Sequence, residues 1–302
     1  MTDLDSTLSK YQVKFIPWTP KWEEELESDS VSRSAVAVAT ATQQVFTETE
    51  RELHHKGVKL VYGIKESKLI EEPNSNSLLI DPTSPISTAH YSVAHIRGTQ
   101  DIVSLCKEGS DDALLIAELQ KQGDIYIWNI TSPIVDLGSC SLISNNKQTA
   151  FYLVRNGYEE VAIQFQTQKQ VHFNVFSVII PALQRETNGH VQVNFEDKSY
   201  LLQQAQSDEV ASDCIKLVTR EPQFKDGRYV LLFNGRVKRT SSKNFILIHD
   251  SLPSREILLC GKNAPKQFVL DLNWPLSLLQ GFGVFLTLFV QPKKVFGKFL
   301  SK

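Results

Sequence analysis

No charge of either sign dominates this 302-residue chain: 32 Lys and Arg stand against 34 Asp and Glu, a formal net charge of −2. That removes any general pull toward anionic membranes or toward nucleic acid, which is not an expected partner. An electrostatic ligand has to be met by a local patch. Cysteine is sparse. Cys106, Cys140, Cys214 and Cys260 lie far apart with no C-x-x-C among them, so neither a zinc site nor a redox motif is read. Buried free thiols in a reducing compartment are expected. The amino terminus lacks a basic segment followed by an apolar one, so no secretory signal is read and the expected location is cytoplasmic.

Long apolar runs are missing too, with one exception. Residues 275–290, PLSLLQGFGVFLTLFV, are almost wholly apolar, but the run is 16 residues long and contains Gln280, Gly281 and Gly283. A membrane-spanning helix needs about 20 residues. A shorter helix that is apolar all round belongs inside a core, with Pro275 in its first turn. Catalytic signatures are absent: no G-x-S-x-G, P-loop, G-x-G-x-x-G or H-E-x-x-H occurs. The pairs His54-His55 and His90/His95 do not converge as metal ligands would. A non-enzymatic protein without cofactor or metal is expected.

What is present is an ordinary globular composition, 41% hydrophobic and 22% charged. Residues 1–88 read as a divergent, partly disordered extension. They hold Trp18 and Trp22, the acidic run EEELESD, a thin helical pattern over 34–55 and turn-rich stretches at 70–77 and 81–88. The two tryptophans suit either a docking surface or a seal against the following domain. From residue 89 onward β signals dominate. Strands are expected at 113–117, 124–130, 149–154, 161–165, 176–180, 190–195, 228–233, 244–249, 256–260 and 267–272. Asn156-Gly157 and Asn234-Gly235 are placed as hairpin turns. That many short strands imply a sandwich or closed barrel, and a barrel wide enough to take a helix would house the apolar run.

Residues 229–237, Y-V-L-L-F-N-G-R-V, and then S-S-K-N-F at 241–245 resemble the signature of the tubby family. Residues 273–286, N-W-P-L-S-L-L-Q-G-F-G-V-F-L, resemble that family's closing helix. Fainter similarities lie at 113–133, 142–145, 149–157 and 176–181, so the resemblance spans 89–302. It implies a closed antiparallel β-barrel of about twelve strands around a central hydrophobic carboxy-terminal helix. It also implies an adaptor that binds phosphoinositide headgroups at the inner membrane surface and carries cargo, in some members into cilia, with a protein partner taken through residues 1–88.

The chain departs from that family where headgroup binding is concerned. A phosphorylated inositol is a compact polyanion and needs several Lys or Arg side chains. The dense basic run after the L-L-A strand is here Glu118-Leu119-Gln120-Lys121-Gln122-Gly123-Asp124, the arginine of L-R-S-N falls on Ile143, and G-P-R-K falls on residues 172–175, His-Phe-Asn-Val. Candidate headgroup residues are therefore Lys121 and a displaced group, Arg236, Lys238, Arg239 and Lys243. The displaced group reads otherwise as a solvated strand face with a structural Arg236. The tail lysines Lys293, Lys294, Lys298 and Lys302 are interleaved with Phe296, Phe299 and Leu300 and read as a frayed, soluble terminus or as a lipid-surface segment. The alternative expectation is a degenerate barrel that has lost the headgroup site and serves as a protein-interaction module.

Overall fold

A computed structural model describes residues 15–17, 75–97, 101–166, 174–184, 189–196, 198–207, 209–225 and 228–290. The helical pattern at 34–55, Trp18, Trp22, His172 and the tail lysines lie outside the described residues.

The elements run β1 (Phe15–Pro17), α1 (Ser75–Ile80), β2 (Ala89–Arg97), β3 (Asp101–Lys107), β4 (Ala113–Gln122), β5 (Ile125–Thr131), β6 (Cys140–Ser144), β7 (Ala150–Arg155), β8 (Tyr158–Phe165) and β9 (Phe176–Pro181). There follow α2 (Tyr200–Gln206), β10 (Cys214–Thr219), β11 (Gln223–Lys225), β12 (Arg228–Leu232), β13 (Phe245–His249), β14 (Leu252–Ala264), β15 (Gln267–Leu272) and α3 (Leu278–Leu286), which a 3-10 turn over Thr287–Phe289 extends. Twelve strands close into one antiparallel barrel, in the order β10-β13-β14-β15-β2-β3-β4-β5-β6-β7-β8-β9, with β9 returning to β10. The expected architecture is the observed one.

Closure follows from period-2 patterning. Leu115 and Ala117 of β4, Trp128 and Ile130 of β5, and Leu142 of β6 point inward and are at most 1% exposed, while their neighbours face outward. The tight connection from β7 to β8 is Asn156-Gly157, with φ of +52° and +81°. Two successive left-handed residues make the turn that matches strand twist in a two-residue hairpin.

Helix α3 runs through the middle, with each of its nine residues buried. Phe282, Phe285 and Leu286 are wholly shielded by inward residues of the wall. It begins at Leu278, so Pro275 precedes the helix and does not sit in its first turn. The start is set by a capping box: the Ser277 hydroxyl accepts from the Gln280 N–H at 3.2 Å, and the Gln280 side chain accepts from the Ser277 N–H at 3.0 Å. Leu79 of α1 is fully buried in the same core, and the Thr83 N–H donates to the Leu276 carbonyl at 2.9 Å.

Two expected strands are placed differently. Residues 190–195 form no strand but isolated bridges, Leu183 with His190 and Tyr158 with Asn194. The outer faces of β8 and β9 are instead covered by α2, whose Leu201 and Ala205 pack on Ala162 and Ile179. Buried Glu159 fixes the start of α2, accepting from the Ser199 hydroxyl and the N–H groups of Tyr200 and Leu201 at 2.7–2.9 Å. β12 stands outside the barrel in a three-stranded sheet, β1-β12-β11. Asn234-Gly235, with φ of +49° and +76°, is accordingly a turn but closes no hairpin. It sends residues 236–239 along the outer wall as a strap.

Candidate functional site

The strand registers give the barrel two distinct ends. β2 to β8 form a meander, so alternate turns fall at the same end. The turns β2–β3, β4–β5, β6–β7 and β14–β15 share one end with the start of β13 and the carboxy-terminal end of α3. This end is called the mouth. Phe289 sits in it, 4.4 Å from the His95 ring, 5.8 Å from Phe268 and 6.3 Å from Trp128 between ring centroids.

Lys121 is exposed at the mouth, at the end of the inward face of β4, with its ammonium 5.4 Å from the centre of the Tyr126 ring. Ile143 occupies β6 opposite Ile127 and brings no charge to that neighbourhood.

Arg236 is placed for a different task. Its Nε and Nη2 donate to Asp271 at 2.7 Å each, while Nη1 and Nη2 donate to Glu108 at 2.9 and 3.0 Å. Asp271 is 4% exposed and also lies 2.8 Å from His90 Nδ1. Burial pushes the Asp271 carboxyl up, but hydrogen bonds and charge from His90 and Arg236 outweigh it and hold the pKa below its ordinary value. Burial alone lowers the Arg236 value, yet the same two carboxylates raise it overall. With both edges of its guanidinium committed to carboxylates, Arg236 clasps the strap to β15, β2 and the end of β3.

Lys243 is likewise engaged. Its ammonium donates to the Leu288 carbonyl and stands 4.6 Å from the centre of the Phe289 ring. A cation there answers the partial negative charge of the helix end. Lys238 is exposed, its backbone N–H held by Asn263 at 3.2 Å, and the Arg239 N–H donates to the Lys262 carbonyl at 3.0 Å. Lys238 and Arg239 therefore lie beside β14, four strands from Lys121. At ~4.8 Å per strand that is about 19 Å of sheet, more than one inositol ring spans. The five candidates thus divide into one clasp (Arg236), one helix-end cation (Lys243) and two separate basic places at the mouth.

Sequence reasoning passed over Lys147, Lys262 and Lys266, all at the mouth on the β6–β7 turn and around the β14–β15 turn. Acidic residues at this end include Asp124 and Asp101, the latter 3.2 Å from His95 Nε2. The opposite end is acidic in its turns: Glu108, Asp111 and Asp112 between β3 and β4, Asp136 between β5 and β6, and Asp250 between β13 and β14. The signal was present as the sign of charge on alternate turns, which becomes readable once β2, β3 and β6 are counted. Among the described residues no three His, Cys, Asp or Glu side chains converge as metal ligands, and no helix is long and apolar enough to cross a membrane.

A barrel of this order, filled by a helix that follows its last strand, agrees with a match to the family model described as Tub family over residues 135–291, more than half of the chain. The chain belongs to the Tub family. It is 27% identical over 188 residues to Tubby-related protein 3 of Homo sapiens, which covers 57% of this chain and 40% of that protein. Identity is 31% over 121 residues with Tubby protein homolog 1 of Caenorhabditis elegans, covering 37% and 28%. With Tubby-related protein 1 of Homo sapiens it is 34% over 115 residues, covering 37% and 21%. The matched stretches thus span less than half the length of these relatives. Within the Tub family frame, the glycine-arginine-valine motif at 235–237 has a structural meaning here, because its arginine is the one clasped by Asp271 and Glu108.

Proposed function

We propose that this chain is a non-enzymatic, peripherally membrane-associated adaptor whose barrel mouth rests on an anionic lipid surface. What carries the reading is the separation of charge between the two ends of the barrel. Lys121, Lys147, Lys238 and Lys266 point a cationic face one way, and Asp111, Asp112, Asp136 and Asp250 give the other end the opposite sign. A charged rim of this kind attracts a negatively charged leaflet within a Debye length. Its spread favours many shallow contacts over one deep headgroup pocket, so phosphoinositides bind as highly charged lipids. In sequence, the tail after Val290 adds four lysines among Phe296, Phe299 and Leu300. The amino-terminal sequence between β1 and α1 is left for a protein partner, and cargo trafficking, ciliary included, is the use this arrangement suits.

Co-sedimentation of the full chain with vesicles tests it. Binding is expected to phosphatidylserine vesicles and more strongly to vesicles with a few per cent of a bisphosphorylated phosphoinositide. It should be absent from phosphatidylcholine alone and weaken with salt, and Lys238→Glu with Lys266→Glu should reduce it together. A folded chain that ignores all three compositions would overturn the membrane reading.

One observation favours a second reading, a barrel that has kept its architecture and binds protein only: Arg236 and Lys243 are engaged inside the structure, and Ile143 stands where a cation would complete a headgroup site. That reading predicts no lipid binding and a partner recovered through residues 1–88.

A further inference from the structure

β12 is paired on both edges, and its two neighbours reach it very differently. β11 is joined to it by residues 226–227 alone. β1 comes from the far amino-terminal segment and pairs over three positions: Phe15↔Leu232, Ile16↔Leu231 and Pro17↔Val230. β12 itself is firmly seated on the outer wall, with Leu231 4% exposed among Phe233, Val237, Ile246 and Leu259.

The backbone arithmetic of this edge is specific. Pro17 has no N–H, so Pro17↔Val230 is not a pair that exchanges both hydrogen bonds. Exchanging and non-exchanging pairs alternate in an antiparallel ladder, which leaves Ile16↔Leu231 as the exchanging pair. Counting from the other side agrees. Lys225↔Arg228 closes a two-residue connection and exchanges, as therefore does Gln223↔Val230. Val230 turns its backbone groups to β11, and Leu231 turns its own to β1. The proline sits where a missing N–H costs nothing and where it stops the strand from growing.

We propose that the β12 edge is a strand-addition site for an extended peptide carrying an apolar residue followed by proline, and that residues 15–17 are its displaceable occupant in cis. Recognition rests on the Leu231 N–H and C=O, presented on a strand fixed from below, which is the geometry of β-augmentation. One exchanging pair holds β1, and each such hydrogen bond is a small net gain over water, so an intact incoming strand competes with it. This proposal stands apart from the membrane reading, since β12 lies on the side wall.

The test uses the full chain, wild type and Ile16→Pro, and a fluorescent peptide of residues 13–22, VKFIPWTPKW. Ile16→Pro removes the N–H given to Leu231 and vacates the edge without touching the barrel. The peptide should bind the variant at least about tenfold more tightly than wild type, because the tethered competitor is gone. Its own isoleucine-to-proline version should not bind, and amide exchange at Leu231 should quicken in the variant and slow again with peptide. Equal affinity for both proteins, or Leu231 exchange indifferent to both changes, would overturn the proposal. A wild-type dimer that the variant loses would overturn it too, by assigning the strand to a second copy.

Discussion

Val237 presses so closely on Gly261 that a Cβ added to the glycine would lie 2.0 Å from Val237 Cγ2 and 2.9 Å from its Cβ. Gly261 is on β14, opposite Val269, and the missing side chain is what allows the strap to lie flat on the barrel wall. Gly261→Ala should therefore destabilise by about 1–3 kcal/mol through overpacking. Val237→Ala should recover part of that loss in the double variant, a non-additivity that thermal melts of the four proteins measure.

The Arg236 clasp gives a pH prediction with a definite sign. Asp271 has a folded pKa below its ordinary value of 3.8. Its contribution is fully present above that ordinary value and is lost as pH falls through the lower folded value. Asp271→Asn should cost about 3 kcal/mol at neutral pH, since it leaves a partly buried guanidinium short of a partner. The gap between variant and wild type should shrink in denaturant titrations carried progressively below pH 3.8.

The central helix is tested from within. Phe285→Asp places a charge against Phe268, 5.3 Å away between ring centroids, and should abolish the cooperative unfolding transition. Gln280→Ala is gentler. It removes one half of the capping box and the amide that donates to the Glu160 carbonyl at 2.9 Å. About 1–3 kcal/mol should go with them, visible as a lower denaturation midpoint.

Lys243 and Lys266 should separate cleanly. Lys243→Met withdraws the cation from the end of α3 and from Phe289, so it should lower stability by about 1–2 kcal/mol. Because that ammonium is already engaged, salt-sensitive vesicle binding should hold. Lys266→Glu should do the reverse, leaving the melting temperature alone and weakening binding.

Much of the fold was legible because patterning is local. The apolar run of α3 and the strands β4, β5, β7 to β9 and β13 to β15 carry dense Val, Ile, Leu and Phe. β2, AHYSVAHIR, was not read as a strand, because His95 takes an inward position at the mouth beside Phe289 and interrupts the apolar alternation. The alternation in residues 190–195 misled for the opposite reason. It faces α2 and its surroundings, and the wall beside it was already complete. At the candidate site, basic residue type was readable but engagement was not. Arg236 finds Glu108 and Asp271 at sequence separations of 128 and 35, beyond the reach of any window along the chain.

Order of synthesis adds one more consequence. β15 pairs with β2 across some 175 residues, and α3 emerges only after all twelve wall strands. During translation the ribosome thus exposes a set of apolar strand faces with nothing yet to enclose. Ladders of such long reach close slowly, and unpaired edges in that interval invite aggregation. Chaperone dependence of the nascent chain should accordingly peak just before residues 278–286 clear the exit tunnel and fall once they have.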